Sequence, residues 1–126
     1  MPWLRVALAQ VNPTVGDIEG NAELVARWSA HAVAQGAHLV VFPEMVLTGY
    51  PIEDLALRRS FVDAARHATD SLARRLVAEG LGETVVVLGT LDRDTGTHDG
   101  LGVPRGAPQN VAAVLHGGSV VARYAK

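Results

Sequence analysis

Apolar residues recur along the first 90 positions in a pattern that predicts three strands alternating with two helices. Compact apolar runs at residues 4–9, 38–42 and 84–89 predict the strands. A first helix is predicted from an N-cap at Asn21 to a stop at Gly36, and a second, amphipathic helix over residues 55–79. Polar segments containing glycine and proline, at residues 10–20 and 45–54, predict loops between these elements.

The remaining residues predict an antiparallel pair of strands. Residues 110–115 and 120–125 are mainly apolar and flank a Gly117-Gly118 turn, which is typical of a β-hairpin. Residues 91–109 are predicted to form a long, polar, glycine-rich connection. The whole order predicts an α/β fold, with crossovers long enough for right-handed packing on one sheet. A domain rarely stops one residue after a strand, so we expect the chain to be part of a larger domain.

Composition narrows the classes of function. The chain has 126 residues, of which 48% are hydrophobic and 19% charged, as expected for one globular domain. A net charge of −2 without a basic block argues against nucleic acid as a partner. No segment approaches the roughly 18 apolar residues of a membrane span, so we expect no membrane association and a cytoplasmic location. The absence of cysteine excludes a thiol nucleophile within these residues, and the histidine spacing predicts no metal site.

Two residues are candidates for chemistry by their positions at strand ends. Glu44 follows an inner strand directly, and ligands of open α/β sheets bind at the carboxyl ends of strands. An adjoining apolar wall would raise the pKa of Glu44 and suit it to proton transfer. Lys126 follows the last strand and could stabilise negative charge on a substrate oxygen. From position alone, a solvated rim glutamate and an exposed lysine are the commoner interpretations, so both roles stay open at this point.

Several segments resemble a known family. Residues 5–18 with Gly20 and Asn21, and the run Leu-Val-Val-Phe-Pro-Glu-Met at 39–45, resemble the opening of carbon-nitrogen hydrolases of the nitrilase superfamily. The loop Leu-Thr-Gly-Tyr-Pro-Ile-Glu-Asp-Leu at 47–55 and the ending at 110–126 are similar to the glutaminase part of glutamine-dependent NAD synthetases. This resemblance implies that residues 1–126 are a partial carbon-nitrogen hydrolase (glutaminase) domain, the N-terminal portion of a nitrilase-type α-β-β-α sandwich, with the synthetase domain absent from this chain.

The resemblance also implies a mechanism, because this family uses a Glu, Lys and Cys triad. Glu44 would be the general base, Lys126 would stabilise the oxyanion, and the cysteine would lie beyond residue 126. Glutamine would be the substrate, and its ammonia would pass to a synthetase domain that uses ATP and Mg to amidate deamido-NAD. No cofactor is expected in this chain itself, and the complete enzyme is expected to be a homo-oligomer. Without a cysteine, we expect these 126 residues to be inactive by themselves.

Two alternatives remain open at this stage. The chain could be part of a stand-alone nitrilase-family amidase, although the loop at residues 49–55 argues against that interpretation. It could instead be a noncatalytic α/β interaction module, for which the missing nucleophile is the main support.

Overall fold

The computed structural model describes residues 2–94 and 106–126, and in this part of the chain the predicted order of elements is confirmed. The central part of the predicted connection at 91–109, residues 95–105, lies outside the described residues. The elements are β1 (Val6–Leu8), α1 (Ile18–Ala34), β2 (Leu39–Val41), a 3-10 helix (Glu53–Leu57), α2 (Arg59–Ala78), β3 (Val85–Arg93), β4 (Pro108–His116) and β5 (Ser119–Ala125).

The five strands form one mixed sheet in the order β1-β2-β3-β4-β5. Strands β1, β2 and β3 are parallel neighbours, while β4 and β5 continue the sheet in antiparallel fashion. Gly117 and Gly118 have positive φ angles of 60° and 88°, which is the backbone that a two-residue hairpin turn requires. The predicted hairpin is therefore confirmed, and the α/β class with it.

Both helices pack on one face of the sheet. Side chains alternate between the two faces of a strand, and every second residue of β3 and β4 enters the core on the helix side. The buried core formed with α1 and α2 includes Val25, Val40, Leu72, Leu76, Val86, Leu88, Ala113 and Leu115. Burial of this apolar face is what orders the sheet and fixes its register, since a one-residue slip would turn the core side chains outward.

The opposite face of the sheet is not covered by any helix of the described residues. Val41 and Val87 on this face are half-buried, whereas Leu8 is 70% exposed and Tyr124 is 69% exposed. The described residues thus supply one helical layer and one sheet. That is the arrangement expected for the N-terminal portion of a sandwich whose second sheet would pack on this apolar face.

Helix α1 begins earlier than predicted, and Asn21 is not its N-cap. Asp17 takes that position, and its Oδ1 accepts a hydrogen bond of 2.9 Å from the main-chain N of Gly20. Both residue types cap helices well, so local preference did not separate them. Asn21 is buried inside the helix, where its amide bonds the neighbouring loops instead.

The bounds predicted for the second helix and the third strand also need correction. Residues 53–57 form a separate 3-10 helix, and Arg58 is extended, with φ −85° and ψ 114°, so that α2 begins only at Arg59. Strand β3 continues to Arg93, four residues beyond its predicted end at Gly89, because β4 already pairs with it from Pro108 onward. The predicted connection is correspondingly shorter at both ends.

Candidate active site

Glu44 lies in the turn that directly follows β2, and β3 holds this turn in place. The main-chain N of Leu47 donates a 3.2 Å hydrogen bond to the carbonyl of Gly89. A β-carbon at position 89 would lie 2.7 Å from the Cα of Glu44 and closer still to the main-chain N of Met45. Only glycine permits such an approach of two backbones, so the sequence of β3 contributes directly to the position of Glu44.

Asn21 holds the same turn from the helix side. Its Nδ2 donates to the carbonyl oxygens of Leu47, at 3.0 Å, and of Thr14, at 2.8 Å. Its Oδ1 accepts from the main-chain N of Thr14 at 2.8 Å. One buried amide therefore joins the loop before α1 to the turn that carries Glu44. This role of Asn21 was not predicted, because asparagine is also a good helix cap.

The structure brings Glu44 and Lys126 together. Lys126 follows β5, and its Nζ lies 3.1 Å from Oε1 of Glu44. Asn110 of β4 adds a second donor, because its Nδ2 forms a short hydrogen bond to the same carboxylate oxygen. The main-chain N of Lys126 also donates to the carbonyl of Asn110, at 2.9 Å. Asn110 was not among the predicted site residues, although it is a polar residue at the opening of a mainly apolar strand.

The electrostatics of Glu44 differ from the sequence-based expectation. The hydrogen bond from Lys126, then that from Asn110 and the charge of Lys126, lower the pKa of the Glu44 carboxyl below its usual value. Desolvation acts in the opposite direction but is weak, since the Glu44 side chain is 53% exposed. The predicted rise in pKa through an apolar wall was therefore wrong for the arrangement seen here. Glu44 is a carboxylate at neutral pH, the form that can accept a proton.

A groove of about 480 Å³ opens beside these three polar residues. Strands β2 to β5 supply its apolar walls, and it lies on the sheet face that the helices leave uncovered. Pockets that bind small molecules usually combine an apolar lining with a few polar groups in this size range. The lining residues are Val41, Phe42, Glu44, Val87, Leu88, Gly89, Asn110, Val111, Ala112, Tyr124, Ala125 and Lys126.

Among residues 2–94 and 106–126, no group of three or more His, Cys, Asp or Glu side chains is arranged to hold a metal ion. No helix in the same residues is long and apolar enough to cross a membrane. The polar groups that line the groove are the carboxylate of Glu44, the ammonium group of Lys126, the amide of Asn110 and the hydroxyl of Tyr124.

Comparison with known proteins identifies the class. The carbon-nitrogen hydrolase family matches residues 5–126, and the chain belongs to this family. Among curated relatives, glutamine-dependent NAD(+) synthetase of Thermotoga maritima is 39% identical over 126 residues, covering 100% of this chain and 19% of that protein. The enzyme of the same name from Rhodobacter capsulatus is 39% identical over 123 residues, covering 97% and 20%. The chain therefore spans about a fifth of the length of these relatives and corresponds to their N-terminal part.

Solved structures agree with this assignment. Glutamine-dependent NAD+ synthetase from Acinetobacter baumannii, in complex with ADP, superposes with a TM-score of 0.75 at 31% identity, covering 100% of this chain and 21% of that one. An amidase from Nesterenkonia sp. superposes with a TM-score of 0.71 at 26% identity, covering 98% and 42%. The expected fold and family are confirmed. The catalytic roles of Glu44 and Lys126 remain predictions.

Proposed function

We propose that Glu44 and Lys126 are two members of a Glu, Lys and Cys triad that hydrolyses the side-chain amide of glutamine. The observation that supports this most directly is the 3.1 Å contact between Lys126 Nζ and Glu44 Oε1 at the edge of an open groove. The two residues are 82 positions apart in the chain, so their contact is created by the fold. The third member, a cysteine, must come from outside these 126 residues because they contain none.

In the proposed mechanism, the carboxylate of Glu44 accepts the proton of the cysteine thiol, and the thiolate attacks the carboxamide carbon of glutamine. Lys126 stabilises the negative oxygen of the tetrahedral intermediate. Collapse of this intermediate breaks the C–N bond, and the protonated Glu44 gives its proton to the departing nitrogen, which leaves as ammonia. Glu44 then takes a proton from water, whose oxygen attacks the thioester; the C–S bond breaks, glutamate is released, and Glu44 returns the proton to the cysteine sulfur. The first step requires Glu44 to begin as a carboxylate, the form that the hydrogen bonds from Lys126 and Asn110 stabilise.

The choice of glutamine rests on the relatives, which are named glutamine-dependent NAD(+) synthetases. By this proposal the ammonia passes to a synthetase domain that amidates deamido-NAD with ATP and Mg. A related structure contains ADP. The sequence has no GxxxxGK loop, and among residues 2–94 and 106–126 no group of three or more His, Cys, Asp or Glu side chains is arranged to hold a metal ion.

Two further parts of the proposal rest on the resemblance to NAD synthetases alone. We place the complete enzyme in the cytoplasm and expect it to form a homo-oligomer. Light scattering on the full-length gene product that carries these residues would measure its mass. The mass of a monomer would contradict the expected homo-oligomer.

A stand-alone amidase is the second candidate, favoured by the similarity to the Nesterenkonia enzyme. One structure of that amidase carries acrylamide added to its active-site cysteine. Ammonia release by the full-length gene product from glutamine, asparagine and propionamide distinguishes the candidates. Preference for glutamine is the expected result, and preference for propionamide would favour the amidase. Release from none of the three would overturn both. Residues 1–126 alone, which lack a cysteine, are the inactive control.

A further inference from the structure

We propose that Asn110 is a positioning residue that holds Glu44 and Lys126 together and leaves the second oxygen of Glu44, Oε2, as the one that accepts a proton. This inference rests on the proposed function of Glu44 and adds a residue to it. Asn110 acts on substrate only through Glu44 and Lys126, so it is not itself a catalytic residue.

The side chain of Asn110 is the first support for this role. Its Nδ2 and the Nζ of Lys126 both donate to Oε1 of Glu44. Within residues 2–94 and 106–126, no hydrogen bond reaches Oε2. An oxygen that already accepts two hydrogen bonds, one of them charged, is the poorer proton acceptor. Oε2 is therefore the oxygen that takes a proton, and the two bonds to Oε1 prevent the carboxylate from rotating.

The main chain of Asn110 is the second support. Its carbonyl accepts the 2.9 Å hydrogen bond from the main-chain N of Lys126, and in β4 it pairs with Leu91 of β3. Asn110 is half-buried and lies between two neighbouring strands, whereas the side chains of Glu44 and Lys126 are 53% and 77% exposed. Packing holds Asn110 much more firmly than either of its partners. It can therefore fix the geometry of two side chains that would otherwise lose rotamer freedom on pairing.

The neutral amide of Asn110 also has an effect on the pKa of Glu44 that can be measured separately from the effect of the Lys126 charge. The hydrogen bond from Asn110 lowers the pKa of Glu44, as does Lys126. The other titratable side chain that lines the same groove is Tyr124 of β5. Replacing Asn110 by a residue without a hydrogen-bond donor leaves Lys126 and Tyr124 in place. The pKa of Glu44 should then rise, and the acidic limb of the pH–rate profile should move to higher pH.

The test uses the full-length gene product that contains these residues, with wild type, Asn110→Leu, Asn110→Asp and Gln109→Leu compared. Gln109 is the matched control, because it is the preceding residue of β4 and lines a cavity with Asp92 and Arg123 on the helix side. For Asn110→Leu we expect kcat with glutamine to fall by about 10- to 100-fold, because Glu44 and Lys126 lose the side chain that fixes their geometry. KM should stay within about threefold, since substrate binding is not the step affected.

The acidic limb should move to higher pH in Asn110→Leu and further still in Asn110→Asp, whose shape is unchanged but whose carboxylate repels Glu44. Gln109→Leu should leave the profile unchanged. A second measurement follows the Glu44 carboxyl by ¹³C NMR in the same labelled proteins, with the resonance assigned by its loss in Glu44→Gln. A Glu44 pKa that is the same in wild type and both Asn110 variants would overturn the inference. If the wild type releases no ammonia from glutamine, the proposed function fails, and the NMR titration then tests only whether Asn110 holds the Glu44 carboxylate.

Discussion

Replacing Asn21 by leucine tests how the turn of Glu44 is held. The asparagine side chain is 2% exposed and makes three hydrogen bonds, two to the main chain of Thr14 and one to the carbonyl of Leu47. Leucine has a similar size but neither donates nor accepts. The substitution therefore removes the link between the two loops without leaving a large cavity.

The cost follows from the burial of the groups left behind. Leu47 is fully buried, and its carbonyl has no other hydrogen-bond donor among the described residues, so losing Asn21 costs about 1–3 kcal/mol there. The two bonds to Thr14 are part-buried and can be replaced by water, at about 0.5–1 kcal/mol each. Leucine regains a few tenths of a kcal/mol, roughly, through its better helix propensity. The free energy of unfolding should therefore fall by about 2–5 kcal/mol.

Urea denaturation followed by circular dichroism measures this change. With a slope of about 1–2 kcal/mol per molar urea, the midpoint should fall by at least about 1 M. Asn12→Leu is the control, because Asn12 lies exposed in the same loop, and its effect should stay within about 0.5 kcal/mol. A free energy of unfolding for Asn21→Leu that equals that of Asn12→Leu would refute the argument that Asn21 joins the two loops.

Three further substitutions have defined outcomes. Lys126→Met should raise the pKa of Glu44, measured by ¹³C NMR. The stability that this pair contributes is present above the unfolded-state pKa and is lost as pH falls through the lowered folded-state pKa. Gly89→Ala should destabilise the fold by about 1–3 kcal/mol in thermal unfolding, since the new methyl group meets the backbone of Glu44. Arg123→Met should cost about 1–3 kcal/mol in urea denaturation, because Asp92 is buried and loses its 2.9 Å partner.

Each of these three predictions has an outcome that would contradict it. Arg74→Met removes an exposed arginine of α2 and should cost less than about 0.5 kcal/mol, so an equal loss in Arg123→Met would deny the ion pair a structural role. An unchanged Glu44 pKa in Lys126→Met would mean that the contact is not maintained in solution. A Gly89→Ala protein as stable as wild type would show that the turn can move away without cost.

The order of strands and helices could be predicted because burial of one sheet face leaves a regular apolar pattern in the sequence. The hairpin could also be predicted, because Gly117 and Gly118 readily adopt the positive φ angles that its turn requires. The start of α1 could not be predicted in this way. Asp17 and Asn21 are both good caps, and the choice depends on a hydrogen bond from Asn21 to Leu47, 26 residues away. Only the tertiary structure brings these residues together.

The candidate site, too, could be predicted only in part from the sequence. Glu44 and Lys126 both became candidates through their places after strands, and the family resemblance then implied a role for each. The contact between Asn110 and Glu44 spans 66 residues and depends on the register of β4 against β3. The direction of the Glu44 pKa shift follows from this contact and from Lys126. An expectation built on the apolar sequence around Glu44 therefore had the wrong sign.

The proposed function makes Glu44 the base of an amide hydrolase. Its most direct test is the rate of ammonia release from glutamine by the full-length gene product, compared among wild type, Glu44→Gln and Glu83→Gln. Glu83 is an exposed glutamate away from the groove and serves as the control. We predict that Glu44→Gln lowers kcat by about 10²- to 10⁴-fold, as expected for loss of a general base, while Glu83→Gln retains the wild-type rate. A Glu44→Gln enzyme that releases ammonia as fast as wild type would contradict the claim.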